Sequence, residues 1–236
     1  MYVGGSVISS VEFHGNISLV LFMSGCPLTC RYCHNVELLD DTTEKSFEEI
    51  RQEIDSSADF LDAIVISGGE PLLQLDALIE IFTYVREIGL KTKLDTSGIY
   101  PEKIQKLLEL NLLDFVSLDV KTVFSKYRKI TGSNVGFQVK KSMELLNADE
   151  NVTLEIRTTY VPTLHTKKDI INLVDEIEAD IYTIQQFRNK NVLDPSLEKV
   201  EVPNPHDLER LAREIKPYFK GQVKVKSGEF GERIIE

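Results

Sequence analysis

Six times along the chain a short β-type run gives way to an amphipathic helical stretch, and this alternation constrains the fold more than any other feature. The runs are residues 18–23, 63–66, 91–95, 115–120, 152–161 and 181–187. Helical patterns follow at 46–54, 72–88, 101–110, 137–146, 167–177 and 207–215. In the first helix Phe47, Ile50 and Ile54 fall at helical spacing behind Ser46, with Glu49 placed to complete a capping box. In the second, Leu75, Leu78, Ile79, Phe82 and Val85 share one face and Gly89 closes it. Repeated strand–helix units imply parallel strands joined by right-handed crossovers. A further edge strand is expected at Val223, Lys224 and Val225. No linker, repeat or low-complexity stretch divides the chain, so residues 1–236 read as one domain.

The special residues choose between an open sheet and a barrel. Three cysteines, Gly68-Gly69-Glu70, Asp95-Thr96, Asp119, Lys121, Arg157 and Gln185-Gln186 all fall at or near the C-terminal ends of expected strands. In a (β/α) barrel those ends meet on one face, where sites are built. The expected architecture is therefore a partial (β/α)6 TIM-like barrel, wider on one side, because the chain is too short for eight units.

Composition narrows the partners. A net charge of −11 argues against a general nucleic-acid binder. No apolar run is long enough to span a membrane, and the first residues lack the pattern of a signal peptide. Clustered cysteines make a poor disulfide framework, which points to a reducing, cytoplasmic setting.

All three cysteines of the protein, Cys26, Cys30 and Cys33, sit in one loop with C-x3-C-x2-C spacing. Thiolates hold iron–sulfur clusters and zinc. Three can occupy three corners of a [4Fe–4S] cubane and leave the fourth iron open. The alternative is a structural zinc held by the cysteines and His34, although adjacent residues rarely aim two ligands at one small ion. His14, His165 and His206 read as surface or capping residues. The Lys140-Lys141 and Lys167-Lys168 pairs read as solvated helix faces.

The loop resembles that of the radical S-adenosylmethionine (SAM) superfamily, with Tyr32 as the aromatic that precedes the last cysteine. Its Cys-Arg-Tyr-Cys-His-Asn ending is similar to that of activating enzymes of glycyl-radical proteins. The upstream segments at 10–15 and 20–25 resemble activators of anaerobic ribonucleoside-triphosphate reductase. The resemblance implies a [4Fe–4S] cluster whose open iron is chelated by SAM, and one-electron cleavage to methionine and a 5′-deoxyadenosyl radical. It implies that Gly68, Gly69 and Glu70 form the loop that receives the SAM ammonium, with Glu70 as the loop's organiser. Asp95 and Thr96 would accept from that ammonium or help to bind a monovalent cation. Asp119 would meet the ammonium, Lys121 the carboxylate or the ribose, and Arg157 the carboxylate, although a plain Asp119–Arg157 or Glu155–Lys121 ion pair explains these charges too. Gln185 would lie near the ribose, where pyruvate formate-lyase activases carry a histidine. The implied partners are a glycyl-radical protein, anaerobic ribonucleotide reductase, and an electron donor such as flavodoxin or ferredoxin. Competing readings are a pyruvate formate-lyase activase, a small-molecule enzyme such as 7-carboxy-7-deazaguanine synthase, and a non-catalytic zinc module.

Overall fold

The computed structural model describes residues 1–236. Nine strands form one sheet in sequence order: β1 (Val3–Ser9), β2 (Ser18–Met23), β3 (Ala63–Gly68), β4 (Lys91–Thr96), β5 (Phe115–Asp119), β6 (Thr153–Tyr160), β7 (Ile181–Gln186), β8 (Gln222–Ser227) and β9 (Gly231–Ile235). Neighbours from β2 to β8 run parallel, while β1 and β9 pair antiparallel at the two ends. The helices are α1 (Phe47–Asp55), α2 (Leu75–Glu87), α3 (Pro101–Glu109), α4 (Tyr127–Thr131), α5 (Gly136–Asn147), α6 (Lys167–Val174) and α7 (Pro205–Ile215). The result is a partial TIM-like barrel. No helix is long and apolar enough to cross a membrane.

The sequence expected six parallel strands, and the sheet has seven. The segment around Val223–Val225, expected at an edge, pairs parallel with β7 and is covered by β9. β1, with Gly4 and Gly5 and no clean alternation, carries little strand signal, and only its pairing with β2 defines it.

Alternation along the strands divides the core in two. Residues facing the helices, such as Leu19, Ile64, Leu94, Val116, Leu154 and Ile184, join one cluster of 47 buried residues with the inner faces of the helices. The other face carries Lys93, Asp95, Ser117, Asp119, Glu155, Arg157 and Thr183, and only a small apolar group of Phe13, Val20, Ala63 and Val65. Closed barrels fill this space with layers of branched side chains. Here polar groups occupy it. The β1–β2 connector ties the two sides of the barrel: Lys93 Nζ donates to the Glu12 carbonyl (2.6 Å), and the Glu12 carboxylate meets Lys226 of β8 at 3.1 Å.

The capping box expected at Ser46 is formed: the hydroxyl accepts from Glu49 N–H, and the Glu49 carboxylate accepts from Ser46 N–H. Ser46→Ala is expected to lower stability by about 1 kcal/mol. Glu49→Ala added to it should cost less than on its own, because the two groups share one cap. Urea unfolding of the four proteins of the cycle measures both, and strict additivity would contradict the shared cap.

Candidate functional site

The cysteine loop leaves β2 and is fastened by backbone hydrogen bonds to four other segments. Gly25, at φ +87°, donates to Leu38 O and accepts from Glu70 N–H (2.7 and 2.8 Å). Thr29 and Arg31, on either side of Cys30, donate to the carbonyls of Thr131 and Ile130 at the end of α4. The carbonyls of Arg31 and Cys33 accept from Asp194 and Leu193, and the Arg31 guanidinium meets Asp194 at 2.7 Å. Main-chain bonds thus fix the loop, while Cys30 joins the main buried cluster and Cys26 and Cys33 pack against it. Burial pushes the Cys30 thiol up to about 11; neighbouring Cys26 and Cys33 add to the rise, and Lys121 opposes it. Burial also raises Cys26. Metal binding would displace those protons, since thiolates are the ligands.

His34 does not turn toward the thiols. Its Nδ1 lies 3.2 Å from the Lys190 carbonyl and its ring lies 6.2 Å from that of Phe187. No three His, Cys, Asp or Glu side chains converge as ligands of one ion would. A single tetrahedral ion has no ligand set here, whereas a cubane holds its thiolates on separate irons.

Gly68 and Gly69 owe their identity to close packing. A Cβ on Gly68 (φ +115°) would run into the Met23 backbone, and one on Gly69 into the Gly25 carbonyl. The two glycines press the β3–α2 turn against the start of the cysteine loop. The Asn35 side-chain amide ties the turn again, donating to Gly68 O at 3.0 Å. Glu70 is completely buried. Its carboxylate accepts from Leu72 N–H (3.1 Å), Thr96 hydroxyl (2.7 Å), Ser97 N–H (2.9 Å) and Ser97 hydroxyl. Glu70 therefore welds this turn to the end of β4. Thr96 has its hydroxyl proton committed to Glu70 while its oxygen accepts from Gly98 N–H.

Inside the barrel, charges alternate in a ladder. Lys93 Nζ lies 2.8 Å from Asp95 Oδ1; Asp95 Oδ2 accepts from Arg157 at 3.1 Å and from Ser67 at 3.2 Å. Arg157 Nε donates to Asp119 Oδ1 (2.9 Å), and Lys121 Nζ to Asp119 Oδ2 (2.8 Å). The parallel register sets Asp119 directly opposite Arg157. The plain Asp119–Arg157 pair weighed in the sequence is thus formed, whereas Lys121 pairs with Asp119 and not with Glu155, whose carboxylate accepts from Ser117 and Thr183. The Asp95 carboxylate is already met by two cations. Despite desolvation, Arg157 and Lys93 hold Asp95 well below the ordinary carboxylate value of 3.8, and Arg157 and Lys121 lower Asp119 likewise. Exposure rises toward the open end: Asp95 and Arg157 are buried, while the Lys121 and Asp119 side chains are 15% and 27% exposed.

Lys121 is locked from behind by two residues. Its N–H donates to the Tyr127 hydroxyl (3.0 Å), and its carbonyl lies 2.9 Å from His165 Nε2. His165 Nδ1 accepts from Val161 N–H, which leaves the proton on Nε2 to donate to Lys121. His165 is buried, not the surface or capping residue the sequence suggested, and burial lowers its pKa. The apolar Val161 and Leu164 around it were the available signal. Tyr32 is buried with its hydroxyl unpartnered, near Lys121, Cys30, Asp119 and Tyr127.

A cavity of about 910 Å³ opens beside these groups, lined by His34, Asn35, Thr159, Gln185, Arg188 and Lys226 among others. Gln185 stands on its wall, its Oε1 accepting from Thr159 at 3.3 Å. A smaller cavity of about 300 Å³ between Tyr160 and α7 holds none of the site residues.

Comparison with known proteins agrees with this geometry. The radical SAM superfamily profile matches residues 20–177. A candidate glycyl-radical enzyme activating enzyme of Methanocaldococcus jannaschii is 37% identical over 223 residues, 92% of each chain. The pyruvate formate-lyase-activating enzyme of Listeria monocytogenes is 30% identical over 79% of this chain and 80% of its own. The structure of Streptococcus suis SuiB bound to precursor peptide SuiA superposes with a TM-score of 0.68 at 20% identity, over 89% of this chain and 48% of that one. This chain thus spans about half of that enzyme, and the likeness is one of fold. The chain belongs to the radical SAM superfamily, and within it to the glycyl-radical-enzyme activating group. The superfamily uses a [4Fe–4S] cluster and S-adenosylmethionine. The donor set fits them: three thiols on one loop, no fourth protein ligand, and a neighbouring unpartnered tyrosine hydroxyl.

The ladder predicts an acid sensitivity. A carboxyl whose folded pKa lies below its unfolded value contributes stability above that unfolded value and loses it as pH falls through and below it. Stability should therefore drop as pH is lowered from about 5 toward 2. Asp95→Asn, which leaves Lys93 and Arg157 short of a partner, should cost about 3–5 kcal/mol at neutral pH and make that slope shallower. Urea midpoints at several pH values test this, and a loss below about 1 kcal/mol would mean that the buried charges are not coupled.

Proposed function

We propose that Cys26, Cys30 and Cys33 ligate the cluster, and that the exposed end of the ladder binds the amino-acid portion of S-adenosylmethionine. In this reading Lys121 and Asp119 touch the ligand, Lys121 meeting its carboxylate and Asp119 its ammonium. Arg157 faces the same carboxylate when Asp119 turns to the ligand. Asp95, Thr96 and Glu70 act behind them, Asp95 fixing Arg157 and Glu70 fixing the 68–70 turn. The carbonyls of Gly68 and Gly69 face the ammonium, Tyr32 lies over the nucleoside, and Gln185 lies near the ribose. A monovalent cation at Asp95 has little support, since Lys93 and Arg157 already neutralise it.

When bound, the cluster and its ligand supply one-electron cleavage of a carbon–sulfur bond and, with it, the capacity to take a hydrogen atom from a glycine Cα. The chain's own contribution is to hold the ligand rigidly and to exclude stray hydrogen donors. The reading extends to the partner: a glycyl-radical protein, specifically an anaerobic ribonucleoside-triphosphate reductase. The observation that supports a polypeptide substrate is the wide, polar cavity at Gln185, which reaches solvent beside β8 and β9. The choice of the reductase rests on the resemblance of the segments at 10–15 and 20–25. Identity to the Listeria pyruvate formate-lyase activase favours a second reading, with a pyruvate formate-lyase-like partner.

Anaerobic reconstitution separates these. The expected result is a brown protein that releases 5′-deoxyadenosine on reduction and raises a glycyl doublet in the electron paramagnetic resonance spectrum of a co-incubated reductase. A doublet on pyruvate formate-lyase alone would transfer the assignment to the second reading, and cleavage with neither would sink both. Lys121→Met should weaken S-adenosylmethionine binding by roughly tenfold or more, the worth of one charge-assisted hydrogen bond. Cluster content should stay unchanged, and isothermal titration with the reconstituted protein reads the affinity.

A further inference from the structure

The chain is acidic overall, at −11, yet from Lys121 to Met143 it contains no Asp or Glu. That stretch carries Lys121, Lys126, Arg128, Lys129, Lys140 and Lys141. Lys121 and Lys126 are paired with Asp119 and Asp169. Arg128, Lys129, Lys140 and Lys141 are exposed, and none forms an ion pair within the 4 Å limit that the other bridges meet. Phe137, in the first turn of α5, is 78% exposed, the most exposed large apolar side chain of the molecule. α5 begins hard against α4's approach, for a Cβ on Gly136 would strike the Phe124 carbonyl. α5 thus presents an aromatic ring beside Lys140 and Lys141, three and four residues further along the helix, while the short α4 that precedes it carries Arg128 and Lys129.

The position of this stretch matters more than its charge. The end of α4 is hydrogen-bonded to Thr29 and Arg31, the two neighbours of Cys30, and the Thr29 hydroxyl adds a third bond to Thr131 O at 3.2 Å. Gly132 packs so closely on Thr29 that a Cβ would meet its hydroxyl. The face therefore lies directly outside Cys30. The 910 Å³ cavity lies toward His34, Gln185 and Lys226 on the other side of the loop.

We propose that the α4–α5 face docks an acidic one-electron carrier protein that reduces the cluster. The proposal rests on the cluster assignment made above. Each encounter moves one electron: the carrier is oxidised by one electron and the cluster reduced by one, with no atom transferred. Charge complementarity draws an acidic carrier to this acid-free, cationic stretch of an otherwise acidic protein and orients it. Phe137 offers the apolar centre that a cationic rim surrounds in a transient interface. Because the cavity opens elsewhere, the carrier can dock while the radical-accepting partner stays bound.

The test uses the reconstituted holoenzyme and reduced flavodoxin, with cluster bleaching followed by stopped flow. Arg128→Glu with Lys129→Glu should slow reduction at low ionic strength by about tenfold or more and flatten its salt dependence. Reduction by a photoreduced deazaflavin, which needs no docking, should be unchanged. Arg213→Glu with Lys220→Glu makes the same change in net charge at exposed sites on and after α7, and should leave the flavodoxin rate close to the parent's. Equal loss in both double variants, or no loss in the first, overturns the proposal. So does a first variant that accepts electrons normally but no longer yields the glycyl doublet, since the face would then serve the radical acceptor. Failure of the cluster assignment looks different: the unmodified protein would hold no iron or would not cleave S-adenosylmethionine with deazaflavin.

Discussion

The ladder from Lys93 through Asp95, Arg157 and Asp119 to Lys121 is the interaction on which the rest of the structure depends. It runs inside the barrel across β4, β5 and β6, and each charge has an opposite charge as neighbour. Burying any one of these groups alone would cost several kcal/mol. Together they occupy an interior that a closed barrel would fill with branched apolar side chains. Lys93, Arg157 and Lys121 share Asp95 and Asp119, Glu155 adds a further anion beside Arg157, and Lys121 stands at the open end of the ladder. There it lies close enough to Cys30 and Cys26 to oppose the rise of their pKa values. A field of that sign favours thiolate, and hence the anionic cluster that thiolates hold.

Rigidity at the open end comes from contacts behind it. The cysteine loop buries Leu28, Cys30 and Tyr32, and its shape is fixed further by main-chain bonds to Leu38, Glu70, Thr131, Ile130, Leu193 and Asp194. Glu70 satisfies four donors with one carboxylate and joins the 68–70 turn to β4. His165 and Tyr127 fix the backbone of Lys121 from both sides. A site that must hold a reactive ligand gains from such support, because the energy of ordering it is spent on folding rather than at binding.

Much of this was legible in the sequence. The alternation of strand and helix gave six parallel strands within a residue or two, and the strand ends gathered Cys30, Gly68, Asp95, Asp119, Lys121, Arg157 and Gln185 on one face. Two kinds of information were missing. Edge strands such as β1 are defined by pairing, and Val3–Ser9 alone has no pattern that separates it from a loop. Roles were also less visible than positions. Asp95 and Thr96 look like ligands in sequence, yet their oxygens are taken by Lys93, Arg157, Glu70 and Gly98. Lys93, two residues before Asp95 and therefore on the same face, was the readable clue. His165 shows the converse, since a lone histidine reveals its role only when both ring nitrogens have partners.

The unclosed barrel follows from the same charges. A seven-strand parallel sheet could gain by pairing its ends, but β1 and β9 run antiparallel to their neighbours and do not pair with each other. Glu12 spans the gap instead, with its carbonyl on Lys93 and its carboxylate on Lys226. An ion pair and one hydrogen bond hold the ends without sealing them, which leaves the cavity at Gln185 open to solvent. Closure by strand pairing would cover the polar interior and seal the cavity. The open seam exposes strand edges, a known liability for aggregation. It is tempered by the irregularity of β1 between Val3 and Gly5, and by charges such as Glu232 and Arg233 along β9. The geometry that keeps the polar cavity open is thus the geometry that a buried charge ladder makes tolerable.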